Sequence, residues 1–540
     1  MIGEDAPATI PQLLARATSV RPEGEAIVTG RATLSYRALD ESTTRIAGAL
    51  VALGAGKGTR IALLLPDELT WLTTFLAAMR IGALVAPVST LCTAPELAHC
   101  LRHSDAQILI AARQFLRHDY AQRLEAALPG LADAKAGALR IRQAPYLRSI
   151  WLDDAEGLGW AGSHDGLKAL GTDNDALIQE MESEVAPSDD AVIIYTSGST
   201  SLPKAVLHAQ RNVAGQAQVL AEQFLITAES RMMPLLPLFW VGGLTMALEV
   251  LQAGGTLIFP DDRSNEGVLD ALQRFRANRI NSWGPQLGKL REAAIAAGID
   301  VDSIVGLGPW RDARRDLIPP DRSANMLGMT ESVGPHSSEP IDVVLPEECA
   351  GASGRAIGGF ERRVVDLETG EVLPPGKSGE LQLRGGSLMK GFYKLDPREV
   401  FTPDGFYSTH DIVRIDADGY LYFEARRGDM LKTSGANVSR LEVQAALASL
   451  PGVELPIVIG LADPELGQKI VAAVVPKPGA VPDEESLRAA LRDKLSSYKI
   501  PKHIVVIGAD EVEWTPSNKV KLAEMGELIR RRIELNEGED

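Results

Sequence analysis

Between about residues 40 and 260, short apolar runs alternate with stretches of helical periodicity, and this alternation limits the fold more than any other feature. RIALLLP (60–66), ALVAPV (83–88), AQILIAA (106–112), AVIIYT (191–196) and GTLIFP (255–260) each read as buried strands of four to seven residues. Between them lie segments such as ELTWLTTFLAAMR, whose apolar positions recur at helical spacing. Strands buried on both faces need helices laid over the sheet, so a largely parallel α/β layer structure is predicted. The most membrane-like stretch is WLTTFLAAMRIGALVAPV (71–88). Arg80 interrupts it and Gly82 follows, so it reads as a buried helix running into a buried strand and no membrane span is expected.

After about residue 350 the texture changes. GRAIGGFERRVVDLETGEVLPPGKSGELQLRGG alternates apolar and polar residues with Gly and Pro between, the pattern of antiparallel hairpins. LPIVIGLAD, KIVAAVVP and KHIVVIG read as strands around a helix over 484–497, capped by Asp483 and anchored by Leu487, Leu491 and Leu495. A chain of 540 residues exceeds one ordinary core. The expected fold is therefore α/β, with a large N-terminal domain of layered mixed sheets, helices and a β-rich subdomain over 1–427. A small C-terminal α+β domain follows over 428–540, the join falling in EARRGDM (424–430).

The formal charge of −17 argues against nucleic acid or an anionic membrane as the main partner. Cys92, Cys100 and Cys349 form neither a disulfide framework nor a metal-ligand spacing, which fits a reducing cytosol, and the eight histidines include no HExxH pair. MIGEDAPATIPQ lacks the basic-then-apolar order of a secretory signal, so a cytoplasmic location is expected.

YTSGSTSLPKAVLH (195–208) has the ingredients of a polyphosphate loop without the spelling of a Walker loop. Five residues separate Gly198 from Lys204, no glycine stands at 203, Pro203 removes one N–H, and Ala205 cannot bind a metal. What remains is a buried strand ending at Tyr195, the hydroxyls of Thr196, Ser197, Ser199 and Thr200 around Gly198, and the ammonium of Lys204.

The stretch YTSGSTSLPKAV resembles the YTSG[ST]TGxPKG[VA] motif of the adenylate-forming superfamily, which contains acyl-CoA synthetases, peptide-synthetase adenylation domains and firefly-type luciferases. Four further stretches resemble that family in the same order: NMLGMTES (325–332), GELQLRGGSLMKGFY (379–393), YSTHDIVRIDADGYLYFEARRGDMLKTSGANVSRLEV (407–443) and TPSNKVK (515–521). The resemblance spans about residues 30 to 525 and is greatest to an acyl-CoA synthetase.

The resemblance implies ATP, Mg²⁺ and coenzyme A as cofactors and a small-molecule carboxylic acid as substrate. A carboxylate oxygen attacks the α-phosphate of ATP, pyrophosphate leaves, and a thiol then takes the acyl group from the adenylate. Such chemistry needs positioning and charge neutralisation rather than a covalent nucleophile. By match, the loop from Thr196 through Ser197, Gly198, Ser199 and Thr200 to Lys204 embraces the outer phosphates. Gly328 and Met329 join the nucleotide site, Thr330 bonds the α-phosphate, and Glu331 helps hold Mg²⁺. Asp411 accepts from the ribose diol and Arg426 contacts ribose or phosphate. Lys519 matches the lysine that the family's mobile C-terminal domain carries to the carboxylate and α-phosphate during adenylation. Gly428 matches the hinge about which that domain turns, and Gly435 sits where the backbone passes the pantetheine arm. PLFWVGGL (237–244), SWGP (282–285) and GLGPW (306–310) resemble pocket segments, so Trp240, Val241, Gly242, Gly306, Gly308 and Trp310 are expected to line an apolar acyl pocket. A fatty, cyclic or aromatic acid follows. A homodimer is compatible with the sequence.

Several positions depart from the family's pattern. Ser201, Ala205, His410, Ala425 and Asn518 stand where relatives carry glycine, and Leu327 stands in place of an aromatic that often stacks on adenine. The glycine losses require φ < 0, or at Asn518 a residue that accepts the left-handed region. No ionisable residue in an expected role is missing, so activity is expected. The alternatives are an acyl-AMP ligase that loads a carrier protein and a non-catalytic adenylate-binding protein.

Overall fold

The predicted strands pair as their burial demands. In a computed structural model that describes residues 7–66, 68–115, 118–171, 175–196, 203–282, 284–306, 310, 322–323, 325–367, 369–426, 430–514 and 520–537, the strand Arg60–Leu64 lies parallel between Leu84–Pro87 and Ile108–Ala111. Leu84–Pro87 pairs in parallel with Asp190–Thr196, and all four belong to one eight-stranded sheet. On its far side Asp190–Thr196 takes Lys204–Ala209 antiparallel, and Gly391–Phe392 follows. Thr256–Phe259 belongs to a second, six-stranded sheet, between Glu25–Thr29 and Arg231–Pro234.

The largest core cluster fills the space between the two sheets. It joins Ile61 and Val85 of the first and Ile27 and Leu257 of the second to Leu14, Leu50, Phe75, Leu220 and Leu248, each from a different helix. The helix Glu68–Arg80 is buried from Trp71 to its end, and the strand Leu84–Pro87 follows it, as the sequence requires. Arg80 is tolerated in this layer because Asp40 and Glu182 each approach it at 2.7 Å. Among the described residues no helix is long and apolar enough to cross a membrane.

The hairpins after residue 350 form a four-stranded antiparallel sheet of Glu361–Val365, Ser378–Arg384, Tyr407–Ile415 and Leu421–Arg426. The chain then changes sheet between Arg426 and Met430. Met430–Thr433, Ala436–Ser439, Val453–Asp463, Gly467–Pro476 and His503–Val506 make the sheet of the small domain. Asp483 caps its helix by accepting from the Ser486 N–H at 2.9 Å, and Leu487, Leu491 and Leu495 are buried. The helix ends at Leu491, however, rather than near 497. The Leu491 carbonyl accepts from both Lys494 and Leu495, and the turn leads into the short 3₁₀ segment Ser497–Lys499 against the large domain.

Candidate active site

Thr196, at the carboxyl end of a parallel strand, lies opposite Lys204, at the usual ligand edge of such a sheet. Ser197, Gly198, Ser199 and Thr200 lie outside the described residues. The Lys204 ammonium is 5.1 Å from the centre of the Phe392 ring, whose strand pairs with that of Lys204. Phe392 meets Tyr407 edge to face at 6.3 Å, and the Tyr407 hydroxyl donates to the Glu331 carboxylate at 3.3 Å. A continuous set of side chains thus connects Lys204 with Glu331.

Thr330 and Glu331 occupy a 3₁₀ turn between the strands Met326–Met329 and Gly334–Ser338. The turn is tied down on two sides. His208, four residues after Lys204 on the same strand, donates through Nε2 to the Thr330 carbonyl at 2.8 Å. The Met389 N–H donates to the Glu331 carbonyl at 2.8 Å. Burial pushes the His208 imidazole down to about 4, against the opposing effect of that hydrogen bond, so it stays neutral. Sequence reasoning assigned His208 no role; an imidazole inside an otherwise apolar strand was the available signal. Gly328 is required sterically, since a Cβ there would lie 2.4 Å from the Gly334 carbonyl oxygen. Met329 packs against the cluster that contains Val206, Leu388 and Met389. Leu327 is part of that cluster, which is where its side chain goes instead of offering an aromatic face.

Asp411 is buried, 5% exposed, on Tyr407–Ile415, directly opposite Arg426 on the neighbouring strand. Its N–H donates to Thr409 Oγ1 at 3.1 Å, and that hydroxyl donates to the Leu381 carbonyl at 2.9 Å. His410 departs from the expected condition. Its φ is +62°, so the residue in the glycine position keeps the left-handed backbone. Histidine enters that region more readily than most side chains, at about 1–3 kcal/mol. His410 Nδ1 lies 3.0 Å from Glu380 Oε1, a contact glycine cannot make.

Trp240 stands at the N-cap of the helix Val241–Gln252, half-buried and edge to face with Phe239 at 5.8 Å. Val241 and Gly242 are half-buried beside it. Gly306 is buried at the end of the strand Val305–Gly306, and Gly308 lies outside the described residues. Trp310 corrects the expectation that it lines the pocket. Its side chain has no exposed surface, packs with Met233, Ile280 and Leu287, and donates to the Ile304 carbonyl at 3.2 Å. It backs Gly306 instead: a Cβ at 306 would lie 2.6 Å from Trp310.

In the small domain Gly435 has φ +79° in the hairpin between Met430–Thr433 and Ala436–Ser439. The adjacent Ser434 N–H donates to the Leu466 carbonyl at 2.8 Å, and Glu465 pairs with Lys289 of the large domain at 2.9 Å. The Gly435 hairpin therefore lies beside a turn held to the helix Gly284–Ala296, which continues the expected pocket segment 282–285. Gly428 and Lys519 lie outside the described residues. The domains also meet where Lys499 approaches Glu96 at 3.0 Å, beside a cleft of about 900 Å³ whose walls bring together Arg123, Arg488, Arg492 and Lys502 against Asp119 and Asp493. That basic concentration was missed in the sequence because its members come from distant segments of an acidic chain.

A model of the AMP-binding enzyme family matches residues 14–393, and a model of the AMP-binding enzyme C-terminal domain matches 442–519. The chain is an AMP-binding enzyme. It belongs with the ATP-dependent, adenylate-forming acyl- and aryl-CoA ligases. The enzyme is 30% identical over 501 residues to the sulfoacetate–CoA ligase of Cupriavidus necator, across 90% of this chain and 91% of that ligase. Against the indoleacetate–CoA ligase of Aromatoleum aromaticum it is 27% identical over 517 residues, across 92% and 94% of the two chains. The amide bond synthetase McbA of Marinactinospora thermotolerans shares the fold with a TM-score of 0.77 at 22% identity, over 96% of this chain and 99% of that one.

Proposed function

We propose that the enzyme joins a hydrophobic carboxylic acid (fatty, cyclic or aromatic) to coenzyme A at the expense of ATP. The acid's carboxylate oxygen bonds to the α-phosphorus as the bond to pyrophosphate breaks. The CoA sulfur then attacks the acyl carbon and AMP departs. Lys204 and the loop from Thr196 neutralise the outer phosphates, Thr330 bonds the α-phosphate, Gly328 and Met329 border the nucleotide, and Asp411 and Arg426 hold the ribose side. Lys519 meets the charge that develops at the α-phosphate, and turning at Gly428 exchanges it for the Gly435 hairpin. Glu331 fits one carboxylate ligand of a Mg²⁺ ion, which would neutralise phosphate charge when bound.

The observation that carries this reading is the tie between Lys204 and Glu331. The strand that begins with Lys204 also holds the Thr330 turn through His208, at the ligand edge of the sheet. The basic cleft between the domains supports a polyanionic acceptor such as CoA. The acceptor and the acid are tested together by pyrophosphate release from ATP and by mass detection of the thioester. Acid-dependent release followed by CoA consumption is expected; release without any thioester in the presence of CoA would redirect the reading to a carrier-protein acceptor.

A further inference from the structure

The helix Val241–Gln252 presents Gly242, Met246 and Glu249 on one face, at i, i+4 and i+7. Gly242 is half-buried near Trp240, whereas Met246 and Glu249 are buried. Seven helical steps separate the ends of this stripe, about 10 Å. At its inner end Met246 and Glu249 line a cavity of about 10 Å³ with Ile280, Val305 and Gly306. Such a space holds one water-sized group. Gly306 is an expected pocket residue, so the cavity touches the acyl-pocket segments from within.

Glu249 is 1% exposed, and its Oε2 has no hydrogen-bond partner among the described residues. Arg279, on the same cavity wall, donates to the Phe224 carbonyl at 2.9 Å and to that of Leu225. Burial alone pushes the Glu249 carboxyl up to about 8, so at neutral pH it is a neutral acid with one O–H to give and one carbonyl to receive. A buried polar group left unsatisfied is destabilising, so a partner at this atom is favoured. A hydroxyl matches its capacity to give and to receive; a cationic amine would require it to ionise where burial disfavours charge, and would share the cavity wall with the Arg279 guanidinium.

We propose that Glu249 forms the closed end of the acyl pocket and selects acids that carry a hydroxyl group opposite the carboxylate. This rests on the ligase reading and names its substrate class: hydroxylated aryl-alkanoic or ω-hydroxy acids about as long as the helix stripe. The substrate hydroxyl supplies the partner that Oε2 lacks, and Met246 and Ile280 contact the hydrocarbon body.

The test compares kcat/KM for pyrophosphate release with matched pairs: 4-hydroxyphenylpropanoate against phenylpropanoate, and 8-hydroxyoctanoate against octanoate. The native enzyme is expected to favour at least one hydroxy acid by roughly tenfold or more. Glu249→Leu should reverse that preference by raising activity on the deoxy partner, and Glu249→Gln should retain it. Glu249→Met, unbranched like glutamate, replaces the leucine variant if that one does not fold. Equal ratios in native and apolar variants, or a native preference for both deoxy acids, would overturn the role of Glu249 alone. No acid-dependent pyrophosphate release from any of the four overturns the ligase reading for this class and the inference with it.

Discussion

Lys499 of the small domain reaches Glu96 of the large domain at 3.0 Å, and the same ammonium lies 2.7 Å from Glu442 within its own domain. It is 4% exposed. Burial works against its charge, but Tyr498, Glu96 and Glu442 together hold its pKa above the usual lysine range. The two carboxylates shift apart. Both are raised by burial, yet Glu96 ends below its ordinary value because Lys499, the Thr93 N–H and Ser496 favour its charged form, whereas Glu442 ends above. Glu96 also completes the capping box of the helix Ala94–His103, so one carboxylate serves a helix end and the domain contact.

Glutamine at 96 keeps the cap but loses the ion pair. Glu96→Gln is therefore expected to slow thioester formation several-fold while leaving acid-dependent pyrophosphate release near the native rate. Lys499→Met leaves two buried carboxylates facing each other and should cost about 3–5 kcal/mol of stability. Urea unfolding and separate half-reaction assays check both. Equal slowing of the two half-reactions in Glu96→Gln would detach this contact from the thioester step.

The basic cleft makes a separate prediction. Lys502 is exposed on its wall with Arg123, Arg488 and Arg492. Reversing one charge, Lys502→Glu, should raise the KM for CoA by roughly tenfold and leave the KM for ATP unchanged. The native KM for CoA should rise with ionic strength, and that of the variant should rise less, because exposed charges are screened over about 10 Å. Dephospho-CoA, which lacks one phosphate, should show a smaller difference between the two enzymes.

The strands and the motif order were legible because a parallel strand buried on both faces leaves an almost unbroken apolar run, as in Arg60–Leu64 and Ile108–Ala111. Thr330 and Glu331 could be named through their motif, but the 3₁₀ turn that carries them could not, and Gly328 has a steric reason that a motif only hints at. The fate of Trp310 was not legible: core and pocket both use tryptophan, and only packing against Gly306 and Leu287 decides. His410 was misjudged because a lost glycine says nothing about whether its replacement keeps φ positive. The cleft and the Lys499–Glu96 pair depend on residues hundreds of positions apart, for which local pattern carries no signal.

Lys519 gives a kinetic prediction that rests on the TPSNKVK motif. Lys519→Ala should lower acid-dependent pyrophosphate release by about two to three orders of magnitude, since an ammonium aimed at developing charge contributes on the order of 3–4 kcal/mol. Thioester formation from supplied acyl-adenylate should remain near native. Lys521, which lies 3.6 Å from Glu513, is the internal control: Lys521→Ala should leave both steps within about twofold. A comparable loss in the Lys521 variant would move the assignment.

His208 predicts how stability depends on pH. Its native pKa is lowered to about 4 by burial, while an unfolded chain titrates near 6.5. Between those values the unfolded chain binds a proton that the native protein does not, so stability is full above pH 6.5 and falls as the pH drops toward 4. The loss from this residue is about 2 kcal/mol between pH 7 and pH 5. His336, buried and lowered to about 3 by desolvation and by Arg362, acts in the same direction. Glutamine at 208 can still donate to the Thr330 carbonyl but takes up no proton. His208→Gln should therefore flatten the decline in urea-unfolding stability over this range and preserve adenylation at pH 7. A variant with the native slope would mean that the imidazole is already protonated in the folded enzyme, and that the Thr330 turn is held by a cation instead of a neutral ring.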